Sequence, residues 1–115
     1  MKYQHKISSS EFQNIPVIEI EGDLTSDADS DVKKIYSEIK SKYSDNKILI
    51  NFEQTKYINS SGIATLINII QETNEKNGKI AFVGMSDHLQ KVMDIVGISD
   101  FVEIYGKNEE AIKSI

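Results

Sequence analysis

Apolar residues recur along this chain with two periods that take turns, two residues in some stretches and three to four in others. Ile15 to Glu21 reads Ile-Pro-Val-Ile-Glu-Ile-Glu, placing Ile18 and Ile20 on one face and Glu19 and Glu21 on the other, the pattern of a half-buried strand. Gly22 is expected to end it. Tyr3 to Ser9 predicts a weaker strand, which Ser10 to Asn14 would bring back as an antiparallel hairpin arm before Pro16, a residue suited to a strand start or edge. From Ala28 the period lengthens: Ala28, Val32, Ile35, Ile39 and Tyr43 form the apolar stripe of an amphipathic helix. Ser26 with Asp29 resembles a capping box, and Asp27, Asp29 and Asp31 suit the positive end of that helix.

Ile48 to Phe52 is a nearly continuous apolar run, as expected of a central strand covered on both faces. Ile63, Leu66, Ile67 and Ile70 then mark a second helix that should stop around Asn74 to Asn77, before Gly78, and Lys79 to Val83 returns to a strand. Leu89, Val92, Met93 and Val96 mark a third helix with Ser86 as cap and Gly97 as stop. Phe101 to Tyr105 supplies the last strand and Asn108 to Ile115 a short terminal helix. Strands alternating with helices predict an α/β domain: a mixed central sheet, helices connecting neighbouring strands, and an antiparallel strand at the N-terminus.

A length of 115 residues allows one domain over 1–115 and excludes a two-domain enzyme. Without cysteine, neither a disulfide framework nor a thiolate metal site can form. Thirteen basic against eighteen acidic residues give a formal charge of −5, whose field repels nucleic-acid phosphate and anionic lipid. No apolar run approaches the roughly 20 residues of a membrane span. The expectation is a soluble, cytoplasmic protein with no direct nucleic-acid binding and no integral membrane segment.

Candidate chemistry concentrates at Asn59-Ser60-Ser61-Gly62, between a strand region and the start of an apolar helix, where α/β folds place their binding loops. One serine there can cap the helix, and Gly62 allows close backbone approach. Alternatively Ser60 is a phosphoacceptor, its phosphate accommodated beside free helix N–H groups at the positive dipole end. Ser61 suits a cap or a packed small side chain. Asp23 falls near the same surface, either as partner-facing charge or bonded to its own loop. Thr25 and Ser26 suit caps or partner contacts, and Ile63 suits core packing or an apolar contact.

An enzyme with Ser60 or Ser61 as nucleophile and His5 or His88 as base lacks a Gly-x-Ser-x-Gly elbow and any spacing that implies a triad. Asp23, Asp27, Asp29 and Asp31 alternate like calcium ligands without the loop glycine and terminal ligand a calcium loop needs. Gly84-Met85-Ser86 does not make a phosphate loop. No cofactor is expected.

In the order Ile18-Glu19-Ile20-Glu21-Gly22-Asp23-Leu24, Ile48-Leu49-Ile50-Asn51-Phe52, Ile58-Asn59-Ser60-Ser61-Gly62-Ile63 and Gly78-Lys79-Ile80-Ala81-Phe82-Val83, the chain resembles the STAS-domain proteins of the anti-sigma factor antagonist family over nearly its whole length. The resemblance implies a STAS-like fold and a partner switch. Unmodified protein captures a partner that is both serine kinase and anti-sigma factor, phosphorylation of the first serine of the pair, here Ser60, prevents capture, and a phosphatase resets the switch. It further implies a partner footprint over the Gly22 to Asp27 loop, the Ser60 loop and the start of the next helix, taking in Asp23, Thr25, Ser26, Asn59, Ser61, Gly62 and Ile63. Two positions depart from the family pattern: Asn59 stands where aspartate is usual, keeping an acceptor but no carboxylate, and Thr25 stands where an acid is common. A STAS scaffold or ligand-sensing module that is never phosphorylated is the alternative.

Overall fold

The computed structural model describes residues 4–115. The N-terminal strand β1 (His5–Phe12) runs antiparallel to β2 (Ile15–Leu24) through a two-residue turn in which Gln13 and Asn14 both have positive φ, 49° and 69°. Such a turn matches the twist of the two strands it joins. The hairpin arm is therefore longer than predicted: Ser10 to Phe12 belong to the strand and only Gln13-Asn14 turn. The start of the predicted arm, at Tyr3, lies outside the described residues.

β2 passes through Gly22 instead of ending there. Val17 to Glu19 pair in parallel with β3 (Lys47–Asn51), then the register shifts between Gly22 and Asp23, and Gly22 to Leu24 pair with β4 (Thr55–Ile58). Gly22 sits at φ +82°, and a Cβ there would meet the Gln4 carbonyl oxygen at 2.3 Å, so this bulge needs glycine. One strand thus serves two neighbours in succession. The sheet is completed by β5 (Lys79–Val83) and β6 (Glu103–Tyr105), in the order β1-β2-β3-β5-β6 with β4 paired to β2. Every pairing except β1–β2 is parallel. β3 is central, as its apolar run predicts.

The helices α1 (Asp29–Lys42), α2 (Ser60–Glu75) and α3 (Asp87–Val96) cover one face of the sheet, and the short α4 (Asn108–Ala111) covers the other. The alternation of β3 shows how: Ile48 and Ile50 pack among Val32, Tyr36, Leu66, Ile70 and Met93 on the helical side, while Leu49 joins Val17, Ala81, Val83 and Ala111 behind. Phe52 and Phe82 meet edge to face at a centroid distance of 4.9 Å. Between α1 and α2 the Tyr36 hydroxyl shares a buried hydrogen bond of 2.9 Å with Thr73, and the Lys40 ammonium pairs with Glu72.

Further predicted details change, and the terminal helix, expected over Asn108 to Ile115, ends at Ala111. The cap before α1 is Thr25, whose hydroxyl accepts from the Asp27 amide within a 3-10 turn over Ser26–Ala28, and Ser26 does not cap. Val96, expected on the core face of α3, is 46% exposed. The last strand begins at Glu103, after a 3-10 turn over Ile98–Asp100, and leaves Phe101 outside the sheet. Ser86 and Gly97 bound α3 as predicted.

Candidate functional site

The site lies where β2 and β4 end together. Asp23 pairs with Tyr57 and Leu24 with Ile58, and the Asn59 amide donates to the Leu24 carbonyl at 3.2 Å, so the chain turns from β4 into α2 directly beside the end of β2. Asn59 caps the helix: its Oδ1 accepts from the Gly62 amide at 2.9 Å, and its carbonyl takes the Ile63 amide, also at 2.9 Å. Neither serine caps; Ser60 and Ser61 are the first two residues of α2, both exposed. Asparagine outcompetes serine here because the last extended residue, at φ −100° and ψ −176°, is the one whose side chain faces the third amide of the helix. Among the described residues the amides of Ser60 and Ser61 have no hydrogen-bond partner, as expected for the first turn of a helix.

Gly62 explains how close α2 comes. It is buried, and a Cβ on it would lie 2.2 Å from the Leu24 carbonyl oxygen and 3.0 Å from Ile58 Cγ2. The first turn of α2 therefore rests on the end of β2, which holds Ser60 at a fixed place relative to Asp23. Deeper in, the Thr65 hydroxyl donates to Asp29 Oδ1 and lies 3.1 Å from the Ser61 carbonyl, and Lys33 pairs with Asp29 at 2.9 Å. The Thr65 hydroxyl, then the Lys33 ammonium, hold the Asp29 carboxyl below its ordinary range against the opposing effect of burial. This tie fastens the starts of α1 and α2 together. It was hidden in the sequence because Asp29 fits equally well as helix-end charge; Thr65, a polar β-branched residue on an apolar helix face, was the available signal.

The candidate residues divide by exposure. Ser26, Ser60 and Ser61 face solvent, and Asp23, Asn59 and Ile63 are partly buried. Asp23 Oδ2 accepts from the Gln4 amide at 3.1 Å, so its carboxylate holds the start of β1 as well as contributing charge. Thr25 is only 2% exposed, turned inward to cap, and its side chain has no surface to present to a partner; Gly62 likewise acts through close packing. Ile63 is packed against the helical core. Among the described residues no histidine hydrogen-bonds either serine: His5 Nε2 is 2.9 Å from Asp31, and His88 is exposed on α3. Among the described residues no group of His, Cys, Asp and Glu could hold a metal ion, and no helix is long and apolar enough to cross a membrane.

The chain is thus an α/β domain with a parallel sheet carrying one antiparallel edge strand, three helices on one side, and a helix start with a serine pair beside the end of β2. Residues 6–111 match the STAS domain family, and the chain belongs to it. It is 28% identical over 61 residues to an anti-sigma-B factor antagonist of Listeria monocytogenes, covering 53% of this chain, and spans about half the length of that relative. Its fold is similar to that of TM1081 from Thermotoga maritima, with a TM-score of 0.83 at 19% identity over 99% of this chain and 91% of the other. It is also similar to SpoIIAA from Bacillus in its phosphorylated form, with a TM-score of 0.68 at 21% identity, covering 97% of each chain.

Proposed function

We propose that this STAS domain, residues 1–115, is an anti-sigma factor antagonist that works as a partner switch, with Ser60 as phosphoacceptor. The observation that carries the reading is the exposure of Ser60 as the first residue of a 16-residue helix, held against the end of β2 by the Asn59 cap and the close packing of Gly62. A hydroxyl on such a rigid mount can enter a kinase site without rearrangement of the fold. A phosphate on it would sit at the positive end of the helix, next to the amides of Ser60 and Ser61, at little internal cost. Its effect is then directed outward. A kinase that has just used this serine holds nucleotide phosphates facing it, so a charge of about −1.5 to −2 on Ser60 opposes re-docking by repulsion and desolvation. Unmodified protein captures the kinase and anti-sigma factor, phosphorylated protein is released, and a phosphatase restores capture. ATP and magnesium belong to the kinase, and the chain itself carries no cofactor.

Stoichiometric capture of the partner by purified wild-type, Ser60→Ala and Ser60→Asp chains tests the reading. Wild type and Ser60→Ala should bind alike, Ser60→Ala should resist phosphorylation, and Ser60→Asp should lose at least about tenfold in affinity, equivalent to about 1.4 kcal/mol. Equal capture by Ser60→Asp would replace the switch with a constitutive scaffold.

A further inference from the structure

Among the described residues four large apolar side chains stand exposed, and two of them, Val96 at 46% and Phe101 at 71%, lie on one groove. They rim a groove of about 170 Å³ whose other wall is the C-terminal half of α2, at Ile67, Ile70, Gln71 and Asn74. An apolar cavity of roughly 150 Å³ holds a benzene ring, so this groove accommodates one large apolar side chain. Exposing such a cluster works against solubility unless something covers it.

Helix geometry connects the groove to Ser60. With about 100° between successive residues, Ile63, Ala64, Ile67, Gln71 and Asn74 all project within about 60° of the direction of Ser60. All five are exposed or partly exposed, so a single face of α2 runs from the serine to the groove. Its length, from Ser60 to Asn74, is about 21 Å at a rise of about 1.5 Å per residue, the span of an ordinary protein interface. The exposed apolar side chains of the groove alone fall well short of the roughly 800 Å² that each partner contributes to a stable interface. They fit better as one end of a larger footprint than as a dimer contact by themselves. Charge defines the occupant further: Asp100 immediately precedes Phe101 of the groove, is exposed, and forms no ion pair among the described residues.

We propose that the protein which reads Ser60 also seats an apolar side chain, flanked by lysine or arginine, in this groove. Its footprint then covers the exposed face of α2 from end to end. The inference rests on the reading of Ser60 given above. It divides the labour within one surface: the groove adds affinity to the docked complex, and a phosphate at the far end opposes docking of the whole footprint. Apolar anchors seated in pockets dominate most interfaces, and charge beside them sets orientation and encounter rate.

The test is site-specific photocrosslinking in the native cells, with Ala64→p-benzoylphenylalanine and Phe101→p-benzoylphenylalanine in otherwise wild-type and Ser60→Asp chains. Crosslinking of one and the same polypeptide from both positions, lost from both with Ser60→Asp, is the expected result. That polypeptide, purified, should bind Phe101→Asp and Val96→Asp chains roughly tenfold or more weakly than wild type, with the thermal midpoint of Phe101→Asp unchanged because that side chain is mostly exposed. A partner crosslinked at position 64 but not at 101, or unaltered affinity for both aspartate variants, would overturn the groove assignment and leave the Ser60 reading standing. Crosslinking of position 101 to a second copy of this chain would overturn it in favour of self-association. If no crosslink at either position responds to Ser60→Asp, the Ser60 reading fails and the inference fails with it.

Discussion

Replacing Gly62 with alanine sets helix propensity against packing. Alanine is favoured over glycine inside a helix by about 1 kcal/mol, so propensity alone predicts a more stable protein. The structure predicts the opposite, because the new Cβ would stand 2.2 Å from the Leu24 carbonyl oxygen and 2.9 Å from its carbon. Neither atom belongs to a flexible side chain. The Leu24 carbonyl is fixed by the end of β2 and accepts the Asn59 amide, so relief requires lifting the first turn of α2 off the sheet. Overpacking of a tight contact costs about 1–3 kcal/mol, and here it falls on backbone, at the upper end of that range. Subtracting the propensity gain leaves a net loss of about 2 kcal/mol. With an m-value of about 1–3 kcal/mol per molar urea, the unfolding midpoint should fall by about 1 M. Equilibrium urea unfolding followed by far-UV circular dichroism measures this, and partner capture by the same variant should weaken because Ser60 moves with the turn. A Gly62→Ala protein as stable as wild type would refute the close-packing account of the site.

Further outcomes follow from the same geometry. Asn59→Ala should cost about 1 kcal/mol by removing the cap on the Gly62 amide, whereas Asn59→Asp should be neutral or slightly stabilising, because a carboxylate caps equally well and suits the positive helix end; urea midpoints of the two variants check this. Acid should destabilise the protein through Asp29, held low chiefly by Thr65, and Glu72, held low chiefly by Lys40. Both bind protons more readily in the unfolded chain, so their contribution is present above the ordinary carboxylate range and lost as pH falls through it. Alkali should act through Lys40, raised chiefly by Glu72, and Tyr36, raised chiefly by burial, whose contributions are present below about pH 10 and lost above it. The urea midpoint should therefore be flat from about pH 5 to about pH 9, with a shallower acid limb in Asp29→Asn; an unchanged acid limb in that variant would count against the Asp29–Thr65 tie.

Much of the fold was legible because the strongest periodicities report burial directly. Ile48-Leu49-Ile50 is buried on both sides, as its unbroken apolar run implies, and Ser86 and Gly97 bound α3 through local chemistry that needs no tertiary contact. β4 was not legible: in Thr55–Ile58 the first and last residues are buried and the middle two exposed, a pattern without period two, because this short strand pairs only with the far end of β2. Gly22 was misread as a terminator because a glycine that ends a strand and one that forms a bulge look alike until the second neighbour is known. At the site, the location was legible and the division of roles was not. Asparagine and serine cap helices almost equally well, so only backbone angles decide that Asn59 caps and that the hydroxyl of Ser60 stays free of that task. The exposure of Val96 and Phe101 was hidden because an apolar residue in a helical or strand-like pattern reads as core, and it depends on how α3 and the following turn sit beside α2.

Site-resolved mass spectrometry of the protein recovered from its native cells, with phosphatase inhibitors present throughout and growth conditions varied, tests the central claim most directly. The account predicts a phosphate on Ser60 whose occupancy changes with conditions, while Ser61 stays unmodified. A Ser60 that remains unmodified at high peptide coverage, in conditions where the protein is active, would contradict it.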